Sequence, residues 1–174
     1  MIRILIADDH ALVREGLNKI LKSEPHMLVV GEAQNAPQVF ELLKMHAVHI
    51  VLLDISMPGM SGLDALKELQ REHPQLPVLI LSMPPEDRFA VRALKAGAAG
   101  YITKESAVGE LVKAIRKIAA GGKYVSPALA EKPADQLGMP ATQLPHENLA
   151  DCEFQVLRMI ATGKKVSEIA QSWR

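Results

Sequence analysis

Four times along this chain an aliphatic run ends on a polar side chain able to do chemistry. Ile2 to Ala7 runs into Asp8 and Asp9; Ile50-Val51-Leu52-Leu53 runs into Asp54, with Pro58-Gly59 close behind; Val78 to Leu81 runs into Ser82; and Gly100-Tyr101-Ile102-Thr103 runs into Lys104. Taken singly, each polar residue need do no more than terminate a strand, and Asp54 could simply cap its strand or the next helix. Brought to one place, three carboxylates would repel one another and raise each other's pKa. A hard divalent cation relieves that repulsion, and oxygen-only ligands on a flexible mouth suit Mg²⁺, which keeps several of its waters. A lysine and a hydroxyl at the same mouth would neutralise an incoming phosphoryl group from other sides. Together these residues describe acyl-phosphate chemistry on an aspartate nucleophile.

Such chemistry needs a scaffold that delivers several strand ends to one crevice. Continuous Val/Ile/Leu runs read as strands buried on both faces, typical of a parallel sheet under helices. The apolar runs predict strands at Ile2–Ala7, Met27–Ala33, His49–Asp54, Val78–Ser82 and Gly100–Thr103. Between them, helical spacing predicts helices over 11–21, 37–46, 63–72 and 86–96, and a fifth from the Ser106 N-cap to Ala120, stopped by Gly121-Gly122. Five strands alternating with five helices make a (βα)5 doubly wound parallel sheet, an α/β domain of about 120 residues placed at 1–122. The flavodoxin-like order 2-1-3-4-5 is expected, with its binding crevice between strands one and three. That order sets Asp8 and Asp9 beside Asp54.

Beyond Gly122 the texture changes. Residues 123–148 read as an interdomain linker: a short strand-then-helix piece at 124–131, then Pro133, Gly138, Pro140 and Pro145 with little periodicity. Residues 149–174 turn helical again, over 151–162 and from Val166 onward. The 174-residue chain carries 20 Lys+Arg against 20 Asp+Glu, so bulk charge advertises neither a nucleic-acid nor a membrane surface. Aromatics at 3% disfavour base-stacking platforms, and a single cysteine, Cys152, excludes an internal disulfide. Neither a signal peptide nor an apolar run near the ~18 residues of a membrane span is present, so a cytoplasmic protein with no membrane partner is expected. The six histidines show no metal-ligand spacing; His10, next to the acidic pair, could line the pocket but reads first as a solvated loop residue.

The segments Ile4-Leu5-Ile6-Ala7-Asp8-Asp9-His10, Leu52 to Gly62, Leu81-Ser82-Met83 and Gly97 to Lys104 resemble, in order, the signature segments of a bacterial two-component response-regulator receiver domain. The resemblance implies that Asp54 accepts phosphate from a sensor histidine kinase, with Asp8, Asp9, Asp54 and the backbone carbonyl of Ser56 holding Mg²⁺. It implies that Lys104 and Ser82 bind the phosphoryl group and that Tyr101 changes rotamer with Ser82. Pro84-Pro85 depart from the more usual polar loop and stiffen a segment that moves on activation. Residues 149–174 resemble the first two helices of a NarL/FixJ (LuxR-type) helix-turn-helix output domain. Ala150 stands where that family has Ser or Thr, removing an N-cap worth roughly 1 kcal/mol. The resemblance stops short of the recognition helix, so no DNA-binding residue is assigned. What it implies is a response regulator controlling transcription, with DNA the partner of a full-length form and a homodimer possible.

Other readings remain in view. Without a recognition helix, the chain would act as a phosphorylation-dependent protein-interaction module that does not bind DNA. A Mg²⁺-dependent phosphatase would want an acid two residues after its nucleophile, where Ser56 stands. A dinucleotide enzyme would want a glycine-rich turn after strand one, where Asp8-Asp9-His10 stand. The expectation is therefore no enzyme in the ordinary sense, only a domain that catalyses its own phosphotransfer and dephosphorylation.

Overall fold

Alternation of aliphatic side chains between two faces of one sheet organises the molecule. The computed structural model describes residues 1–83 and 87–125. The strands are β1 (Ile2–Ala7), β2 (Met27–Ala33), β3 (Ile50–Asp54), β4 (Val78–Ser82), β5 (Gly100–Thr103) and β6 (Tyr124–Val125). The helices are α1 (Ala11–Lys22), α2 (Ala36–Met45), α3 (Gly62–Glu72), α4 (Asp87–Lys95) and α5 (Ala107–Ala119). Every strand pairing is parallel, and the order is β2-β1-β3-β4-β5-β6. The expected flavodoxin-like order of five strands is observed. To it the structure adds Tyr124–Val125, read from the sequence as a strand within the linker, as a sixth strand on the edge of β5. Expectations that fall on Pro84-Pro85 and on residues 126–174, including the helix-turn-helix segment, lie outside the described residues.

Successive residues of each inner strand point to opposite faces. Leu5, Ala7, Val51, Leu53, Val78, Ile80 and Tyr101 pack on one side with Val39 of α2, Leu63, Leu66 and Leu69 of α3, and Phe89 and Ala93 of α4. Ile4, Ile6, Ile50, Leu52, Leu79, Leu81 and Ile102 pack on the other with Leu17 and Leu21 of α1 and Leu111, Ile115 and Ile118 of α5. All five residues of β3 and of β4 are buried. Burying each Leu or Ile of these strands contributes roughly 1.5–3 kcal/mol, so the crevice walls are the most strongly held part of the domain. Because the helices lie on both faces, chain order reverses at β1 and opens the crevice between the ends of β1 and β3.

Helix starts are set locally. The Asn35 side chain accepts from Gln38 N–H to open α2, with Pro37 in its first turn, and Ser61 Oγ accepts from Asp64 N–H to open α3. At α5 Ser106 stands at the N-cap position as expected, but its side chain does not cap the helix. Ser106 has helical backbone angles, and its hydroxyl donates to the Thr103 carbonyl at 3.1 Å instead of accepting from the helix. Thr103 Oγ1 accepts from Ser106 N–H, so the turn that leads into α5 is closed by Thr103. At the other edge, a Cβ on Gly100 would lie 2.6 Å from the Tyr124 carbonyl oxygen, so only glycine lets β6 approach β5 there.

Candidate functional site

Strand register brings the polar strand ends together. Ala7 pairs with Leu53 across β1 and β3, which sets Asp8 level with Asp54 on the neighbouring strand. Both carboxylates are fully buried. Lys104, one residue past β5, reaches back between them: its Nζ lies 2.7 Å from Asp8 Oδ2 and 2.9 Å from Asp54 Oδ2. The backbone N–H of Lys104 donates to the Ser82 carbonyl at 2.7 Å, tying the ends of β4 and β5 and fixing the root of the lysine. Asp54 Oδ1 accepts from the Ser56 N–H at 3.1 Å. Each oxygen of Asp54 thus has a donor, one from its own turn and one from a side chain 50 residues away.

The charges are unbalanced. Asp8, Asp9 and Asp54 bring three negative charges to the crevice and Lys104 one positive charge, an excess that a divalent cation would cancel. Burial pushes the Asp54 carboxyl up from its ordinary value; Lys104 pulls it back, and neighbouring Asp8 pushes it up again. Burial alone would lower Lys104, but Asp54 and Asp8 outweigh it and raise the ammonium above the ordinary lysine value. At neutral pH the lysine is therefore charged and shared between two carboxylates. Oxygens of Asp8, Asp9 and Asp54 and a ring nitrogen of His10 all lie within 4.8 Å of one another, so the cluster has the donors and the spacing to hold a metal ion.

The residues singled out from the sequence fall in two groups. Asp8, Asp9, Asp54 and Lys104 meet at one point. Ser82 is buried at the end of β4, level with Thr103 of β5, and the Tyr101 ring is buried on the α2–α3–α4 side of the sheet. Ser56 contributes its N–H to Asp54.

Two contributors escaped the sequence reading, and a third was weighed there chiefly as a solvent residue. Arg14, on α1, is buried; its Nη1 donates to the Asp8 carbonyl at 2.7 Å and its Nε lies 3.4 Å from Glu32. Its signal was a charged residue in the buried stripe Arg14, Leu17, Leu21. Gly62 opens α3 hard against the back of Asp54: a Cβ there would lie 2.3 Å from the Asp54 carbonyl oxygen and 2.5 Å from Ile55 Cα. His10 is exposed, as first expected, and also lines the acidic pair, the alternative reading, with Nδ1 2.7 Å from Asp9 Oδ1. Contiguity in Asp8-Asp9-His10 was the available signal.

Residues 4–116 match the response regulator receiver domain family. The chain belongs to that family. It is similar to the response regulator GacA of Pseudomonas protegens, 39% identical over 172 residues, covering 98% of this chain and 80% of GacA. Among solved structures, a LuxR-family two-component response regulator from Aurantimonas sp. SI85-9A1 superposes with a TM-score of 0.73 at 36% identity, over 77% of this chain and 96% of that one. The RcsB response regulator of Salmonella typhimurium, studied for conformational dynamism in DNA interaction, gives a TM-score of 0.72 at 28% identity over 98% of this chain and 83% of its own. A further RcsB structure holds two dimers bound to two parallel DNAs, at 28% identity and a TM-score of 0.71 over 98% of this chain and 81% of that one. The protein is thus a two-component response regulator whose receiver carries a buried acidic cluster. Among its described residues no helix is long and apolar enough to cross a membrane.

Proposed function

We propose that Asp54 is the phosphoacceptor of this receiver and that a sensor histidine kinase supplies the phosphoryl group. One observation carries the reading: a fully buried aspartate at the end of a central strand, both oxygens held by donors, with a shared lysine 2.9 Å away. In the reaction an Asp54 carboxylate oxygen attacks phosphorus, the P–N bond to the kinase histidine breaks, and the imidazole nitrogen leaves with the electron pair. An acyl phosphate on Asp54 results. Asp8, Asp9, Asp54 and the backbone carbonyl of Ser56 would hold Mg²⁺. When bound, Mg²⁺ supplies positive charge to the oxygens of the transferring group.

The protein's own groups do the rest. Lys104 leaves its place between Asp8 and Asp54 and pairs with a phosphoryl oxygen, trading one anionic partner for another while its root stays tied to Ser82. Ser82 offers its hydroxyl to a second phosphoryl oxygen, and Tyr101 shares the resulting change at the end of β4. The β3–α3 turn fixes the Asp54 carboxylate through the Ser56 N–H, so the nucleophile is oriented before the donor arrives. The receiver, read from the sequence as 1–122, extends to its edge strand at Tyr124–Val125, and is followed by a linker to 148 and a helix-turn-helix segment at 149–174 of an output that acts on DNA. The DNA-bound dimers of RcsB support that output and a homodimer. Incubation with Mg²⁺ and a small phosphodonor labels the wild type and leaves Asp54→Asn unlabelled; equal labelling overturns the assignment.

A further inference from the structure

The two-residue strand β6 is the edge of the sheet and the point from which the chain leaves the receiver. Its residues straddle that edge. Tyr124 packs on the side of α1 and α5, and Val125 on the side of α2, α3 and α4. Both are half-buried. Gly121, at φ +85°, turns the chain back from the end of α5, and the Gly122 N–H donates to the Lys117 carbonyl at 3.0 Å. The Tyr124 N–H then donates to the Ala99 carbonyl at 2.9 Å. The Tyr124 hydroxyl hydrogen-bonds to Glu110, and Lys117 Nζ lies 5.9 Å from the centre of its ring. Tyr124 is therefore anchored to α5 as well as to β5, and Val125 rests against β5 and the apolar cluster behind it.

β5 links this edge to the acidic crevice. Tyr101 is register-paired with Val125, so both side chains stand on the same face, where the Tyr101 ring is buried. Three residues on, Lys104 ties the end of β5 to the Ser82 carbonyl and to Asp54. A strand of four residues thus has its end at the crevice and its flank against β6. An edge strand of two residues belongs to the least stable part of a sheet. A small change in what Val125 packs against shifts such a strand between paired and released states.

We propose that β6 is a clasp: it holds the start of the linker on β5 in the resting receiver and loosens when the Tyr101 ring changes place on phosphorylation of Asp54. The proposal rests on the reading of Asp54 as phosphoacceptor, with Tyr101 sharing the change that follows. Its direction comes from the geometry of the edge. A displaced Tyr101 ring takes away part of the apolar surface beside Val125, while Glu110 and Lys117 keep their hold on Tyr124. Release therefore begins at Val125, and each residue freed adds up to about 3.3–3.6 Å to the reach of the linker. In the competing role β6 merely covers the edge of β5, and its pairing ignores the state of Asp54.

Amide hydrogen exchange, read by NMR on the full chain with Mg²⁺, separates the two roles. Beryllium fluoride, a phosphoryl mimic, speeds exchange of the Tyr124 amide about two- to fivefold in the wild type and leaves the buried β3 amides unchanged. Asp54→Asn shows no such response. Val125→Ala speeds Tyr124 exchange without the mimic, and the mimic then adds less than in the wild type, because the contact it disturbs is already trimmed. Labelling by a small phosphodonor is measured on the same wild-type protein. If the wild type labels but its Tyr124 exchange stays constant or slows with the mimic, the clasp is overturned and Asp54 stands as phosphoacceptor. A matching rise in the β3 amides, or an equal response in Val125→Ala and wild type, overturns the clasp as well. Failure of the wild type to label overturns the phosphoacceptor reading and this proposal with it.

Discussion

Replacing Lys104 with Met keeps most of the aliphatic stem and removes only the charge that Asp8 and Asp54 share. Lys104 Nζ lies within 3 Å of both carboxylates, at 2.7 and 2.9 Å, and all three groups are almost wholly buried. Breaking a buried pair from one side costs about 3–5 kcal/mol because a charge is left uncompensated. The protein has one escape, which is to protonate a carboxylate. Protonating an ordinary aspartate at pH 7 costs about 4 kcal/mol, and at pH 5 about 1.5 kcal/mol, so these set ceilings on the damage. The cost follows the ionised carboxylates, so it is present at neutral pH and lost as the pH falls. A divalent ion offers a second escape: at a hundredfold excess over its Kd it returns about 2.7 kcal/mol. Lys104 competes with that ion for the same oxygens, so Mg²⁺ should bind Lys104→Met more tightly than wild type. Urea denaturation followed by circular dichroism, at pH 7 and pH 5, with EDTA or with Mg²⁺, measures each quantity against an unchanged m value. A loss below about 1 kcal/mol at pH 7 in EDTA, or a loss that does not shrink at pH 5, would refute the reasoning. So would an identical Mg²⁺ stabilisation of variant and wild type.

Other perturbations test the same geometry. Gly62→Ala forces a methyl into the backbone behind Asp54; it should cost about 1–3 kcal/mol and slow phosphodonor labelling, and wild-type melting with wild-type labelling would contradict the close approach. Arg14→Met removes a donor from the buried Asp8 carbonyl, with an expected loss of about 1.5–3 kcal/mol and weaker metal binding by titration. Asp54→Asn removes a carboxyl whose ionisation is disfavoured by burial. The cost of that ionisation is absent in acid and incurred as pH rises from about 4 through the carboxylate range, so the variant should gain stability relative to wild type toward neutrality; a relative gain by the wild type would reverse the sign of the argument. Thr103→Ala should cost about 1 kcal/mol and Ser106→Ala less, because Thr103 is the residue that accepts at the start of α5; the opposite ranking in thermal melts would restore Ser106 as the cap.

Much of this architecture is legible along the chain because the signals are short-range. The bounds of β1, β2, β4 and β5 match the aliphatic runs residue for residue, and the helices start or stop within a residue or so of the expected positions. A buried parallel strand is written as a continuous apolar run, and a polar residue at its end marks where side chains leave the core. Those rules placed Asp8, Asp9, Asp54, Ser82 and Lys104 at strand ends and, with the strand order, in one crevice. Ser106 shows the limit of a local rule. A serine before an apolar helix is a cap by composition, but the turn at 104–106 gave that task to Thr103.

What only the tertiary structure decided concerns groups whose relation depends on register between distant segments. Lys104 spans two carboxylates because β1, β3 and β5 end at matching heights, and no local pattern carries a height. Arg14 reaches the Asp8 carbonyl because α1 starts at His10 and its first turn comes back to the end of β1, and Gly62 is required because α3 starts against the Asp54 backbone. Tyr124–Val125 became a sixth strand because Gly100 lets its carbonyl in close. His10 keeps an exposed side chain, yet its ring meets Asp9 because the helix it starts is tied to Asp8. Sequence periodicity set which residues face the crevice; inter-strand register and close backbone packing set which of them touch.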